Sequence, residues 1–297
     1  MVGYNLPDGS VHWQTAMLPT GDDITKSYKV KIPGSKQNRW YSEFKEGHIQ
    51  WAKTINSSYD YFYGRGAMNP ELAKKRFLVL GVGAIGSMVS ITLARNGAKD
   101  ISFYDFDEKQ PENICRSEYQ FITGIGAKVN ELCWIINTIT PHAEVHAVED
   151  FLFDAIVKRA YSDEVAKKDV VEFLDNFDVV FDCTTDNDLM HILDYIDCNC
   201  QIVNISISNH ANELVCAFSP NITSYVEFIY GHIVQNETTD LYYPTGCWSP
   251  TFKASYTDIS SMLQYGMKHI LRMLSGEENM ANFYLKESDQ GLRMIRL

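Results

Sequence analysis

The stretch from Phe77 to Arg116 leaves this chain few folds. It reads FLVLGVGAIGSMVSITLARNGAKDISFYDFDEKQPENICR. A short apolar run, Phe77 to Leu80, enters a turn holding Gly81, Gly83 and Gly86. Ser87 then opens an apolar segment with helical spacing, and a second extended run, Ile101 to Tyr104, ends at Asp105. Strand, glycine turn, helix and strand form the unit that seats a nucleotide at the C-terminal edge of a parallel sheet. Glycines let the backbone turn tightly and approach phosphate. The helix start offers free N–H groups and the positive end of its dipole. Glycine spacing alone suits NAD, FAD or ATP equally.

The alternation continues downstream and predicts an α/β fold, a Rossmann-like, mostly parallel sheet with helices on both faces. Helices are expected over 85–96, 125–138 and 187–197, and mostly helical structure over 151–176. Strands are expected over 101–105, 144–148 and 178–182. Residues 202–207 and 214–218 read as an antiparallel pair turning at 209–212. A long loop spans 107–121. Residues 219–250 show little periodicity and hold Pro220, Pro244, Gly246 and Pro250, which marks a functional loop. Thr257 to Leu274 carries Ile259, Met262, Leu263, Met267, Ile270 and Leu271 on one face of a helix that Gly276 ends. A terminal strand and tail follow over 282–297. Residues 1–68, polar and rich in Trp and Tyr, read as an N-terminal extension. It carries a strand at Tyr28 to Ile32 and a helix over Tyr41 to Ile55. Residues 69–297 form the nucleotide-binding domain. The start of the chain also fits an excised fragment.

Composition removes several function classes. With 38 acidic against 26 basic residues the formal charge is -12, so neither nucleic acid nor an anionic membrane is the expected partner. No apolar run approaches the ~18 residues that span a bilayer, and the N-terminus has no signal-peptide core, so a cytoplasmic address is expected. Seven cysteines, an odd number, do not read as a disulfide framework. No C-x-x-C pair occurs, and Cys198 and Cys200 read as buried thiols near a strand start.

The residues around the glycine turn narrow the ligand. Asp105 stands where an acid binds ribose hydroxyls. Arg116 in the following loop and Lys128 on the next helix bring two cations to the turn, which fits a triphosphate better than a dinucleotide. Asp186, just past the strand at 178–182, lies at the same sheet edge, where a carboxylate can hold Mg²⁺. Arg65, between two glycines, is either a solvated loop arginine or a phosphate ligand supplied from an N-terminal arm.

This ordered set, GVGAIGS, DFDEKQPENICR, GIGAKVNEL and DVVFDCTTDN, resembles the ubiquitin-activating enzyme superfamily, which includes the adenylating enzymes of sulfur-carrier proteins. The resemblance covers about 77–274 and implies an adenylation-type fold. By position it implies that Gly81, Gly83 and Gly86 line phosphates and that Asp105 binds ribose. Asp107, Asn113, Arg116 and Lys128 would contact ATP, and Asp186 would be the Mg²⁺ and reaction-centre aspartate. DCTTDN is one residue longer than the commonest form, which leaves Asp182 as the lesser candidate. Arg65 would match an arginine delivered across a homodimer. Cys247, in the loop at about 219–254, matches the reactive cysteine, with Lys253 nearby. The family's usual zinc cysteines are absent. The text beside Cys247 is closest to standalone bacterial ubiquitin-activating-like proteins of defence or conjugation operons, with an antiviral role.

The implied activity is adenylation of a ubiquitin-like protein's C-terminal carboxylate with Mg·ATP, then thioester formation on Cys247. A conjugating enzyme would follow. Alternatives are a sulfur-carrier adenylyltransferase without conjugation, a NAD-dependent oxidoreductase and a degenerate scaffold subunit.

Overall fold

The structure is a computed structural model that describes residues 1–7, 9, 11–17, 22, 24–44, 50–148, 153–232 and 253–296. The chain separates into two units, Met1–Gly64 and Arg65–Leu297.

In the first unit, β1 (Val2–Asn5), β2 (Val11–Met17) and β5 (Gln50–Ala52) form an antiparallel sheet, and β3 (Ile24–Lys31) pairs with β4 (Asn38–Phe44). A short helix, α1 (Tyr59–Tyr63), ends the unit. The helix expected over Tyr41 to Ile55 is not formed, since β4 and β5 take both ends of that segment. The reason is pairing. Trp40 lies opposite Lys29 and Tyr41 opposite Tyr28, whose rings stack at 5.8 Å, and cross-strand aromatic pairs favour the extended state.

The second unit opens with α2 (Pro70–Ala73) and then alternates. Its elements are β6 (Arg76–Leu80), α3 (Ala84–Arg95), β7 (Asp100–Tyr104), α4 (Lys128–Ile139), β8 (Glu144–Ala147), α5 (Phe153–Arg159), α6 (Glu164–Leu174), β9 (Val179–Asp182), α7 (Asn187–Tyr195), β10 (Gln201–Ser208), β11 (Glu213–Phe218), α8 (Ile222–His232), α9 (Tyr256–Leu274), β12 (Phe283–Ser288) and β13 (Gly291–Arg296). The sheet runs β13-β12-β11-β10-β9-β6-β7-β8. Its half from β10 to β8 is parallel, and β11, β12 and β13 add antiparallel strands.

β6 shows why both faces are covered. Phe77 and Val79 pack into one apolar layer with α3, α4 and α9, while Leu78 and Leu80 pack into the other with α6, α7 and α8. Alternate residues of a strand face opposite sides, so a strand buried on both reads as an unbroken apolar run. Order reverses between β6 and β9, because β7 follows β6 on one side and β9 lies on the other. A crevice at the C-terminal strand ends follows from that reversal.

Three further expectations need correction. Residues 222–232, inside the stretch read as irregular, form α8. Ile222, Tyr225, Val226 and Ile229 are its buried face, at helical spacing that Pro220 and a run of weak helix formers obscure. α4 begins at Lys128 rather than 125, because Gly126 and Ala127 are held in a ladder with Lys109 and Glu108. The C-terminal strand and tail are the hairpin β12–β13. Elsewhere the helix over 257–274 appears as α9, with a Ser255–Asp258 capping box and Gly276 at φ +77° after its end.

Candidate nucleotide site

A cavity of about 800 Å³ opens at the C-terminal ends of β6, β7, β9 and β10, within the size range of small-molecule sites. Gly81 and Gly83 line it, together with Asp105, Asp107, Asn113, Arg116, Lys128 and Asp186. Gly86 does not; it lies beneath the turn. Arg65 is exposed and is not among the described residues lining the cavity.

The glycine turn is built from close contacts. Gly81 has φ +73°, and a Cβ there would meet Thr184 Cα at 2.8 Å. Gly86 brings α3 against the turn so closely that a Cβ would sit 1.9 Å from the Gly81 carbonyl oxygen. Gly83 is the N-cap of α3, and a Cβ there would meet nothing within 4 Å. So two glycines serve packing between backbone segments, and the third leaves open the space in front of the helix N-terminus.

Asp105 ties this turn to the loop after β7. Its Oδ2 accepts from the Val82 N–H (2.8 Å) and its Oδ1 from the Asp107 N–H (2.8 Å). Burial pushes its carboxyl up, opposed by Lys128 and by the two backbone bonds. Lys128, 6% exposed, reaches Asp107 Oδ2 at 2.8 Å. The loop then makes a 3-10 turn over Pro111–Arg116. Asn113 Oδ1 accepts from the Gln110 N–H (2.8 Å), so this side chain shapes the turn that carries Arg116.

The two aspartates at and just beyond the end of β9 part company. Asp182 is 1% exposed, and its oxygens accept from the Thr184 N–H (3.1 Å), Thr184 Oγ1 (2.7 Å) and Asn204 Nδ2 (2.8 Å). It fixes the turn and joins β9 to β10. Asp186 is exposed and caps α7, with its Oδ1 accepting from Asp188 N–H (2.9 Å) and Leu189 N–H (3.2 Å). Both cap bonds fall on one oxygen. Thr185, between them, has φ +59°, a left-handed conformation that is unfavourable for a β-branched residue.

Cys247 lies outside the described residues. Lys253 is exposed, and its carbonyl accepts from His210 Nδ1 at 2.6 Å. Cys183, just past β9, and Cys216, inside β11, are buried thiols pushed well up by that burial. Cys198 and Cys200 sit 3.0 Å apart, sulfur to sulfur, before β10. No group of three or more His, Cys, Asp or Glu suited to a metal occurs among the described residues. No helix among them is long and apolar enough to cross a membrane.

The fit to a magnesium nucleotide rests on these features. Gly83 leaves room at the N-terminus of α3, Lys128 and Arg116 stand on one side, and Asp186 offers a carboxylate on the other. One carboxylate with phosphate oxygens is a common Mg²⁺ arrangement. A doubly wound sheet with such a crevice defines a nucleotide-binding α/β protein.

Comparison makes the class specific. The ThiF family model matches residues 63–285, and the chain belongs to that family. It is similar to the ATP-dependent ubiquitin transferase-like protein Cap2 of Enterobacter hormaechei subsp. hoffmannii (strain UCI 50), 25% identical over 292 residues. That alignment covers 94% of this chain and 46% of the relative, so the chain spans about half the length of the curated relative it matches. Among solved structures it is similar to E. coli MccB with AMPCPP and MccA, at TM-score 0.52 and 14% identity over 76% of this chain and 64% of that one. MccB with ATP aligns at TM-score 0.52 and 14% identity over the same shares. PaaA aligns at TM-score 0.50 and 16% identity, covering 76% of this chain and 64% of that one. At these identities the likeness is one of fold.

Proposed function

We infer that this chain adenylates a protein C-terminus. Asp105, Asp107, Arg116, Lys128 and Asp186 gathered around the glycine turn in one cavity carry the reading. A carboxylate oxygen of the partner attacks the α-phosphorus of ATP. The new P–O bond replaces the bond to pyrophosphate, which leaves with its electron pair. Lys128 and Arg116 stabilise charge on the phosphates, and Gly83 and the N-terminus of α3 admit them. Mg²⁺, when held by Asp186, supplies further charge neutralisation. Asp105 holds the turn and faces the ribose.

The finer reading is activation of a ubiquitin-like protein. The acyl group of the adenylate passes to the Cys247 thiolate, and AMP leaves. Support comes from the Cap2 relative and from the position of Cys247 just before α9. A homodimer, a conjugating-enzyme partner, an antiviral setting and the division into an extension (1–68) and an adenylation domain (69–297) belong to the same proposal.

The test is calorimetric titration of the full chain with Mg·ATP and with NADH, followed by ATP–pyrophosphate exchange with a candidate ubiquitin-like protein. Binding of Mg·ATP alone, with exchange, is expected. Binding of NADH alone overturns the reading in favour of an oxidoreductase. A reducible Cys247 adduct by mass spectrometry supports the thioester step. Exchange without an adduct means a sulfur-carrier type of adenylyltransferase.

A further inference from the structure

The loop between β7 and α4 is closed at its neck by two ion pairs of opposite sense. At the cavity, Asp107 meets Lys128. Two residues along one side and three along the other, Lys109 meets Glu131 at 2.5 Å, with side chains only 3% and 7% exposed. Backbone bonds run beside them, Lys109 N–H to Gly126 carbonyl (2.8 Å) and Lys128 N–H to Asp107 carbonyl (3.2 Å), with a bridge between Glu108 and Ala127.

The inner pair is fully engaged. Lys109 Nζ donates to Gln120 carbonyl (2.6 Å), Thr123 Oγ1 (2.5 Å) and Glu131, which uses all three of its protons. Glu131 accepts on its other oxygen from the Gln120 N–H (2.9 Å). Removing two charges from water is costly, and an apolar pair would often stabilise a fold as well. What this pair does that an apolar pair would not is fix one geometry, since every donor and acceptor is directional. It joins the loop's first residues, its far side at Gln120 and the first turn of α4.

The segment between these joints carries Asn113 and Arg116. It is anchored to the glycine turn by Tyr119, whose hydroxyl donates to Val82 carbonyl (2.5 Å), and to the first turn of α3 by Glu118 N–H to Ser87 Oγ (3.3 Å). We propose that Lys109 and Glu131 are a positioning pair that presents Arg116 and Lys128 to the nucleotide cavity. The pair acts through those cations and touches no ligand itself. This rests on the adenylation reading for what the cations do, but the clasp itself is a property of the unliganded chain.

Hydrogen–deuterium exchange of the unliganded full chain tests the clasp directly. Lys109→Met is expected to speed amide exchange of residues 110–125 by at least about 10-fold while β6, β9 and β10 keep their protection. Unchanged exchange of 110–125 overturns the proposal, whatever the nucleotide does. Should Lys109→Met fail to fold, Glu131→Gln replaces it, since Gln keeps an acceptor for the Gln120 N–H and removes the charge. The exchanged pair Lys109→Glu with Glu131→Lys keeps both charges but sets a carboxylate against the Gln120 carbonyl and an ammonium against the Gln120 N–H, so it is expected to exchange as fast as Lys109→Met, and full recovery of protection overturns the directional reading.

Kinetics then test the route. Arg116→Ala is expected to lower the kcat of ATP–pyrophosphate exchange about 100-fold, as the loss of one transition-state donor does. Lys109→Met is expected to lower kcat in the same direction with KM for ATP changed less than about 3-fold. Adding it to Arg116→Ala is expected to cost less than the product of the two single effects, because the share that runs through Arg116 is already lost and only the share through Lys128 remains. Multiplying effects overturn the route through Arg116. Loss of kcat with Arg116→Ala but not with Lys109→Met overturns the pair alone, and an unaffected Arg116→Ala overturns the adenylation roles.

Discussion

The three glycines of this turn divide into two that hold the fold and one that leaves the α3 N-terminus open for the proposed nucleotide. Alanine at each separates them. At Gly86 a Cβ would stand 1.9 Å from the Gly81 carbonyl oxygen and 2.9 Å from its carbon. The nearest comfortable carbon–oxygen approach is about 3.3 Å, so α3 and the turn must part by about 1.4 Å. The obstacle is backbone on both sides, so no side chain can swing aside. Overpacking costs of ~1–3 kcal/mol set the scale, and the upper end applies here. For a chain of this size ~3 kcal/mol corresponds to a fall in Tm of roughly 6–12 °C. Gly81→Ala meets Thr184 at 2.8 Å and adds a left-handed penalty of ~1–2 kcal/mol.

Gly83→Ala is the contrast. Its Cβ meets no protein atom, and the loss of glycine at an N-cap costs about 1 kcal/mol or less. Yet that Cβ enters the space in front of the α3 N-terminus. Nucleotide affinity is expected to fall ~10- to 100-fold, equivalent to ~1.4–2.8 kcal/mol. Thermal unfolding and Mg·ATP titration of the three variants check both columns. The expected pattern is a low Tm for Gly86→Ala and Gly81→Ala, and a near-normal Tm with weak binding for Gly83→Ala. A Gly83→Ala variant that melts as early as Gly86→Ala, or binds Mg·ATP like the parent, refutes the division.

Two further expectations concern carboxylates. Asp186 is both α7 cap and proposed metal ligand, so Asp186→Ala loses about 1 kcal/mol of stability from the cap alone. Asp186→Asn keeps a side-chain oxygen for the Asp188 and Leu189 amides and is expected to melt within about 0.5 kcal/mol of the parent, while ATP–pyrophosphate exchange falls ~100-fold. Exchange that survives in Asp186→Asn removes the metal role. Glu278 is held at about 2, first by the hydrogen bond with His269, then by Arg296 and Arg272. Its folded value lies below the ordinary 4.5, so its contribution is present above about pH 4.5 and is lost as pH falls towards about 2. Partial solvent screening limits that contribution to about 1 kcal/mol. Melting curves of Glu278→Gln and parent should therefore differ at pH 6 and draw together as pH falls to about 2 and below; a gap that widens on acidification contradicts the assignment.

What was legible in the sequence follows from which interactions are local. Phe77 to Leu80 reads as a strand because burial on both faces requires an unbroken apolar run. The α3 turn reads from its glycines because backbone approach admits nothing larger. α9 reads from periodicity alone. Pairing across the chain was less accessible. Nothing near Trp40 and Tyr41 announces that Tyr28 and Lys29 lie opposite, so a helical spacing of apolar residues looked equally good. α8 had its buried face in view, at Ile222, Tyr225, Val226 and Ile229, but Pro220 and the following Thr and Ser masked its start.

The site divides along the same line. Asp105, Lys128 and Asp186 fall at a strand end or helix starts, Arg116 ends the 3-10 turn between them, and all four line one cavity with Gly81 and Gly83. Asp182 and Asp186 differ by four positions; the motif resemblance ranked Asp186 first, and the structure supplies the physical difference between them. There Asp182 is consumed by Thr184 and Asn204, while Asp186 keeps its second oxygen clear of the α7 cap bonds. Lys109 was invisible for a further reason. A lysine between Glu108 and Gln110 reads as solvated surface, because lysine is rarely buried without a partner, and its partner Glu131 lies on the next helix. The residues that touch a ligand must carry chemistry the ligand dictates, and so they stand out by type. Residues that hold those groups in place need only complement one another. In a loop closed by Asp107–Lys128 and Lys109–Glu131, the second pair could be recognised only after the first had fixed the register between loop and helix.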